Sequence, residues 1–230
     1  MSIAYTLSQN QLKVLLKGTG YRSVTGVLRD QTPLEDETVL TAINEMVIDG
    51  LLSESDSGFE MTPLLRRMIT VLGDAQECYA LTSADPSLPD KCLYVDASGE
   101  RILCATMRSI SNHITLTEMS PEEFVETLFD EGYLSQERYE LLPDEDEAAA
   151  FEQKASDKIS LYASLDRESP VLLSIKLIRK DMPEKRYIRV MDYYLCNYVV
   201  CCCKGRIIRF AYNEETIKTL INKMMKNDLC

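Results

Sequence analysis

The chain has no tryptophan and a single histidine, His113, in 230 residues. With so little imidazole, the paired H-x(3–5)-H elements of zinc sites cannot form, and any nucleophilic thiol or hydroxyl has one imidazole base to turn to. In "SISNHITL" His113 reads as a polar position where a strand begins, although a Cys–His or Ser–His pair assembled by the fold stays open. There is no G-x-S-x-G elbow, and "KGTGYRS" is neither a phosphate-binding loop nor a dinucleotide fingerprint. No catalytic frame is visible, so the expectation is a protein that is not an enzyme and needs no cofactor or metal. No apolar run approaches the roughly 18–20 residues of a membrane span. The opening "MSIAYTLSQNQLKVLLKG" has no basic stretch leading into an apolar core, which argues against a signal peptide. The expected location is cytoplasmic.

What the sequence does have is cysteine, eight residues in all. Without a secretion signal these are expected to be reduced thiols. Three are consecutive, in "NYVVCCCKGRIIRF" over 197–210. In a strand Cys201 and Cys203 point to one face and Cys202 to the other, so three adjacent thiolates cannot converge on one ion. Both faces of that strand are apolar, with Val199, Cys201 and Cys203 on one and Tyr198, Val200 and Cys202 on the other. The pattern predicts an interior strand covered on both sides.

Charge is uneven along the chain. The formal net charge is −12, yet residues 117–157 carry fourteen acids and two bases, whereas 158–230 carry fourteen bases and eight acids. The acidic run Asp144, Glu145, Asp146 and Glu147 lacks the alternating ligands and central glycine of a calcium loop, and reads as an acidic helix start or an exposed connector.

In the first 80 residues, Ser8 caps a helix over "QNQLKVLLKG", and a second helix is predicted in "PLEDETVLTAINEMVIDG" with Val39, Leu40, Ile43, Met46 and Val47 at helical spacing. A Ser-Asp-Ser-Gly turn joins two short strands, and Thr62-Pro63 opens a third helix. This order resembles a winged-helix domain over residues 8–73. The helix that would enter a DNA groove offers Glu35, Asp36, Glu37, Glu45 and Asp49 with no Lys or Arg, so phosphate would repel it.

The rest reads as two copies of one plan. "KCLYVDASGERILCATM" is a hairpin, and Ser120-Pro121-Glu122-Glu123 opens a helix in capping-box form. "VLLSIKLIRK", "KRYIRVMDYYL", "NYVVCCC" and "RIIRFAY" are antiparallel strands, turned at 181–184 and at Lys204-Gly205, with a last helix after Asn213. Arg179, Lys180, Lys185, Arg186 and Arg189, interleaved with Tyr187, are the candidate nucleic-acid-binding residues, should the basic strands form a single-strand platform. A solvated rim, or an internal complement to the acidic segment, is the favoured alternative.

The amphipathic "L-x-x-L-x-x-x-G" start, the "DGLL...G" turn and two hairpin-then-helix halves together resemble the EspG-like chaperones of type VII (ESX) secretion. Residues 12–80 carry most of this likeness. It implies a cytosolic bacterial protein without catalysis that holds secretion substrates through a sheet and its hairpin loops. The missing tryptophan, the wing-like turn and the acidic stretch at 143–147 depart from that pattern.

The expected fold is α+β: a winged-helix-like domain over 1–80, then an α+β domain over 81–230 made of halves 81–142 and 158–230 around an acidic connector, 143–157. The expected function is a protein-interaction module, chaperone or adaptor, whose partner is another protein or a second copy. Its docking places would be the sheet face or the 92–106 hairpin. A nucleic-acid-associated regulator is the alternative; nucleic acid is the disfavoured partner, and no membrane is expected.

Overall fold

In the computed structural model the described residues are 3–21, 24–28, 32–56, 58–96, 100–107, 112–135, 171–179, 186–193, 196–226 and 228. The acidic connector, including 144–147, lies outside them. The protein is α+β. Nine strands form one sheet with hydrogen-bonded order β1-β7-β6-β5-β4-β8-β9-β10-β11, and β2 and β3 form a separate hairpin. Every strand pair with a resolved register is antiparallel. The chain divides into two compact units, one comprising Met1–Ala80, Pro89–Ser120 and Leu177–Pro183, the other Leu81–Leu88, Pro121–Lys176 and Glu184–Cys230.

The first unit begins with β1 (Ala4–Ser8), which runs into α1 (Gln9–Gly18) at Ser8. Ser8 Oγ accepts from Gln11 N at 3.2 Å, and Gln11 Oε1 accepts from Ser8 N at 2.8 Å. Two otherwise orphaned amides are thereby satisfied, a complete capping box. Next come α2 (Asp36–Ile48), β2 (Leu52–Ser55), β3 (Gly58–Met61) and α3 (Pro63–Asp74), whose start Thr62 caps through Leu65 N. The buried faces of α1 and α3, with Leu12, Leu15, Leu16, Leu65, Met68, Ile69 and Leu72, share a core with inward side chains of β5 (Asp90–Val95), β6 (Ile102–Met107) and β7 (His113–Met119). At roughly 1.5–3 kcal/mol per fully buried aliphatic side chain, this core is what holds the helices down. Leu40 departs from the periodic reading. It belongs to the apolar set expected to be buried on α2, yet it is 62% exposed, while Met46 lies in the core and Ile43 and Val47 pack against it.

The second unit holds α4 (Pro121–Asp130), β8 (Val171–Arg179) up to Lys176, β9 (Tyr187–Tyr193), β10 (Cys196–Cys203), β11 (Arg206–Ala211) and α5 (Glu214–Met225). Asn213 caps α5 through Thr216 N at 2.7 Å. The helices α4 and α5 pack together, and Asn222 Nδ2 donates to Glu122 Oε1. Tyr212 OH bridges the Ser135 backbone, accepting from its N–H at 3.2 Å and donating to its C=O at 3.0 Å. Between β10 and β11, Lys204 and Gly205 both adopt positive φ, 47° and 77°. That is the type I′ geometry whose twist matches two paired strands, and glycine takes the second place without penalty.

Candidate interaction surfaces

The cysteine run is packing. From Tyr198 to Cys203 every residue of β10 is buried, and β9 and β11 pair with it on its two sides. The alternation is as expected: Val199 and Cys201 lie across from Val190 and Ile188 of β9, while Val200 and Cys202 lie across from Arg189 and Tyr187. Burial pushes the Cys201 thiol up to about 11, so it stays protonated and inert at neutral pH. Cys78, Cys92, Cys104, Cys201 and Cys202 are free and buried, whereas Cys203 is disulfide-bonded in the structure.

A second thiol cluster joins residues distant in sequence. Cys78 of β4 (Glu77–Ser83) and Cys92 of β5 share a hydrogen bond beneath Gly26, with Tyr94 beside them. That hydrogen bond, together with burial, raises the Cys92 thiol well above its ordinary range, and burial raises the Tyr94 phenol. Tyr94 OH donates to Thr25 O at 2.6 Å, which anchors the loop carrying Gly26. Among the described residues no three His, Cys, Asp or Glu side chains are grouped to hold a metal ion. His113 is exposed and lies across from Ser8 in the β1–β7 ladder, but Ser8 Oγ is committed to the α1 cap.

The basic candidates are not alike. Arg179 is paired with Glu77 at 2.7 Å. The Arg186 side chain is buried, and the Arg189 guanidinium lies over the Tyr187 ring at 4.3 Å. Lys180 and Lys185 fall outside the described residues. Arg189 also borders a shallow concavity of about 310 Å³ lined with Thr82, Ser83, Ala84, Val171 and Ser174.

The strands of the 92–106 hairpin are mostly buried, with Cys92, Leu93, Tyr94, Leu103, Cys104 and Ala105 at 3% exposure or less, and its turn at 97–99 lies outside the described residues. Exposed apolar side chains lie elsewhere. On α2, Leu40 and Ile48 project among the exposed Glu37, Glu45 and Asp49, with Ile48 at 83% exposure. Phe59 projects from β3. In the second unit, Ile207 and Ile208 of β11 are each 49% exposed. Pattern reading missed the isoleucines because an apolar pair in a strand signals burial on both faces, and nothing local marks a strand as the last of its sheet.

No protein-family model matches the chain, and no curated protein matches it. Among solved structures it is similar to a chain of the Mycobacterium tuberculosis type VII secretion system chaperone EspG5 in complex with the PE25-PPE41 dimer. The TM-score is 0.57 at 12% identity, over 99% of this chain and 97% of that one. The two chains share a fold. The likeness first visible in residues 12–80 therefore extends, as a fold, from one end of the chain to the other. No helix among the described residues is long and apolar enough to cross a membrane.

Proposed function

We propose that this protein is a non-enzymatic interaction module, a chaperone-like adaptor that holds another protein. The observation that carries the reading is the fold match over nearly the full length of both chains, to a structure described as a chaperone bound to a protein dimer. A likeness covering both units supports a role for the whole architecture rather than for one borrowed element. Leu40 and Ile48 on α2 and Ile207 and Ile208 on β11 are exposed apolar side chains that such a partner would cover. The cytoplasm is the compartment this reading favours, and a secretion substrate is the partner it favours. Affinity capture of the tagged full chain from native lysate, read by quantitative mass spectrometry, tests the reading. A protein recovered in fixed stoichiometry supports it, and a chain recovered alone at physiological salt contradicts it.

A further inference from the structure

The strand β11 ends the nine-stranded sheet, so among the described residues no strand pairs with its outer side. Sheet edges are usually blunted by a proline, a bulge or a shortened strand, because a free row of backbone donors and acceptors recruits further strands. This edge has no proline, bulge or shortening, and its charged side chains, Arg206 and Arg209, are cations that admit only an acidic strand. It runs six residues in unbroken register with β10, from Cys203↔Arg206 to Tyr198↔Ala211, without proline. Ile207 and Ile208 occupy opposite faces of it and both stay half exposed. Its charge has one sign. Lys204 and Arg206 are exposed, and residues 193–213 contain no carboxylate.

We infer that β11 is a strand-addition site for an extended, acidic segment of a partner protein, bearing two adjacent apolar residues flanked by carboxylates. Backbone hydrogen bonds would supply the pairing, as in other cases of strand addition to a sheet edge. Selectivity follows from the side chains: one apolar residue lies against Ile207 on one face, its neighbour against Ile208 on the other, and a carboxylate lies across from Arg206. A second copy of this chain is the poorer occupant, because its own β11 carries Arg206 and Arg209 and no carboxylate lies within residues 193–213, so self-pairing would set no opposite charge against these cations. This inference rests on the interaction-module reading and names the chemistry of the partner.

The test uses the full chain and two labelled nine-residue peptides, one with two central valines flanked by glutamates, the other identical with lysines in place of the glutamates. Fluorescence anisotropy should show saturable binding of the glutamate peptide, weakened about tenfold or more by Arg206→Glu and by raised salt, as expected for exposed complementary charges. Hydrogen exchange should place the new protection on the amides of 206–210. Ile208→Ser, at a half-exposed position, is a second variant expected to weaken binding while thermal unfolding is unchanged. Equal binding of both peptides, protection elsewhere, or no binding at low salt would overturn the inference, as would concentration-dependent dimerisation through β11. If Arg206→Glu still captures the native partner in full, the site is wrong and the interaction-module reading stands. If no partner is captured by either form while the glutamate peptide binds β11, that broader reading fails instead.

Discussion

Gly73 lies in α3 directly under the Tyr21 ring, and a Cβ built there would overlap the ring carbons. Tyr21 OH donates to Asp74 Oδ1 at 2.7 Å, so the ring is held over the helix by its hydroxyl as well as by packing. An exposed helix would favour alanine over glycine by about 1 kcal/mol. Here Gly73→Ala should instead destabilise the protein by about 1–2 kcal/mol net, because the overlap outweighs the propensity gain. Gly26→Ala should cost about 1–3 kcal/mol, since φ is +92° and the new Cβ would meet Cys78 Sγ at 2.7 Å. Chemical denaturation of both variants measures these changes, and a neutral result at either position contradicts the packing described.

The buried thiols make a residue-scale prediction with a pH sign. Cys201, raised to about 11 by burial, binds its proton more tightly in the folded chain than in the unfolded one. Its contribution to stability is therefore complete below the ordinary thiol range and is lost as pH rises through about 11. A maleimide at pH 7 should leave Cys78, Cys92, Cys201 and Cys202 unmodified in the native protein and label them on unfolding, as mass spectrometry would record. Rapid native labelling of Cys201 would show that β10 is open on that face.

At the scale of elements, the caps were legible because their chemistry is local. Ser8, Thr62-Pro63 and Asn213 begin α1, α3 and α5 where the sequence puts them, each side chain accepting a backbone N–H of the first turn. Ser8 also closes the β1 ladder opposite His113, so Ser8→Ala should cost about 1 kcal/mol and raise amide exchange at Gln11 first. The Lys204-Gly205 turn was legible from its glycine, which takes the second positive φ without penalty. Strands β1 and β4 were not. "AYTLS" is short and follows on into a helix, and "ECYALTS" buries Cys78, Tyr79 and Leu81 without clean alternation, so neither has a period to read. Their place in the sheet comes from pairing with distant strands, which leaves no local trace. The same holds for the exposed apolar side chains: Leu40 and Ile48 look like any other helix apolars, and only the packing of Ile43, Met46 and Val47 shows that they point outward.

For the whole molecule, sequence patterning gave the class and the structure gave the order. Hairpins and capped helices in succession imply α+β, but the strand order, with β1 at one edge and β11 at the other, depends on which strands meet last. That order decides the chemistry on offer. The cysteine run, whose pattern predicts an interior strand, is interior packing in β10, and the cationic, half-apolar edge next to it belongs to β11. The basic residues are likewise spread over unlike settings, an ion pair for Arg179, burial for Arg186 and a ring contact for Arg189.

The central claim is that this chain works by holding another protein. Native mass spectrometry of the chain, purified from its own cells at endogenous level, tests it most directly. The account predicts a dominant species heavier than the 26.1 kDa chain by the mass of a defined, different protein. A single species at 26.1 kDa, unchanged across concentration and at low salt, would contradict it.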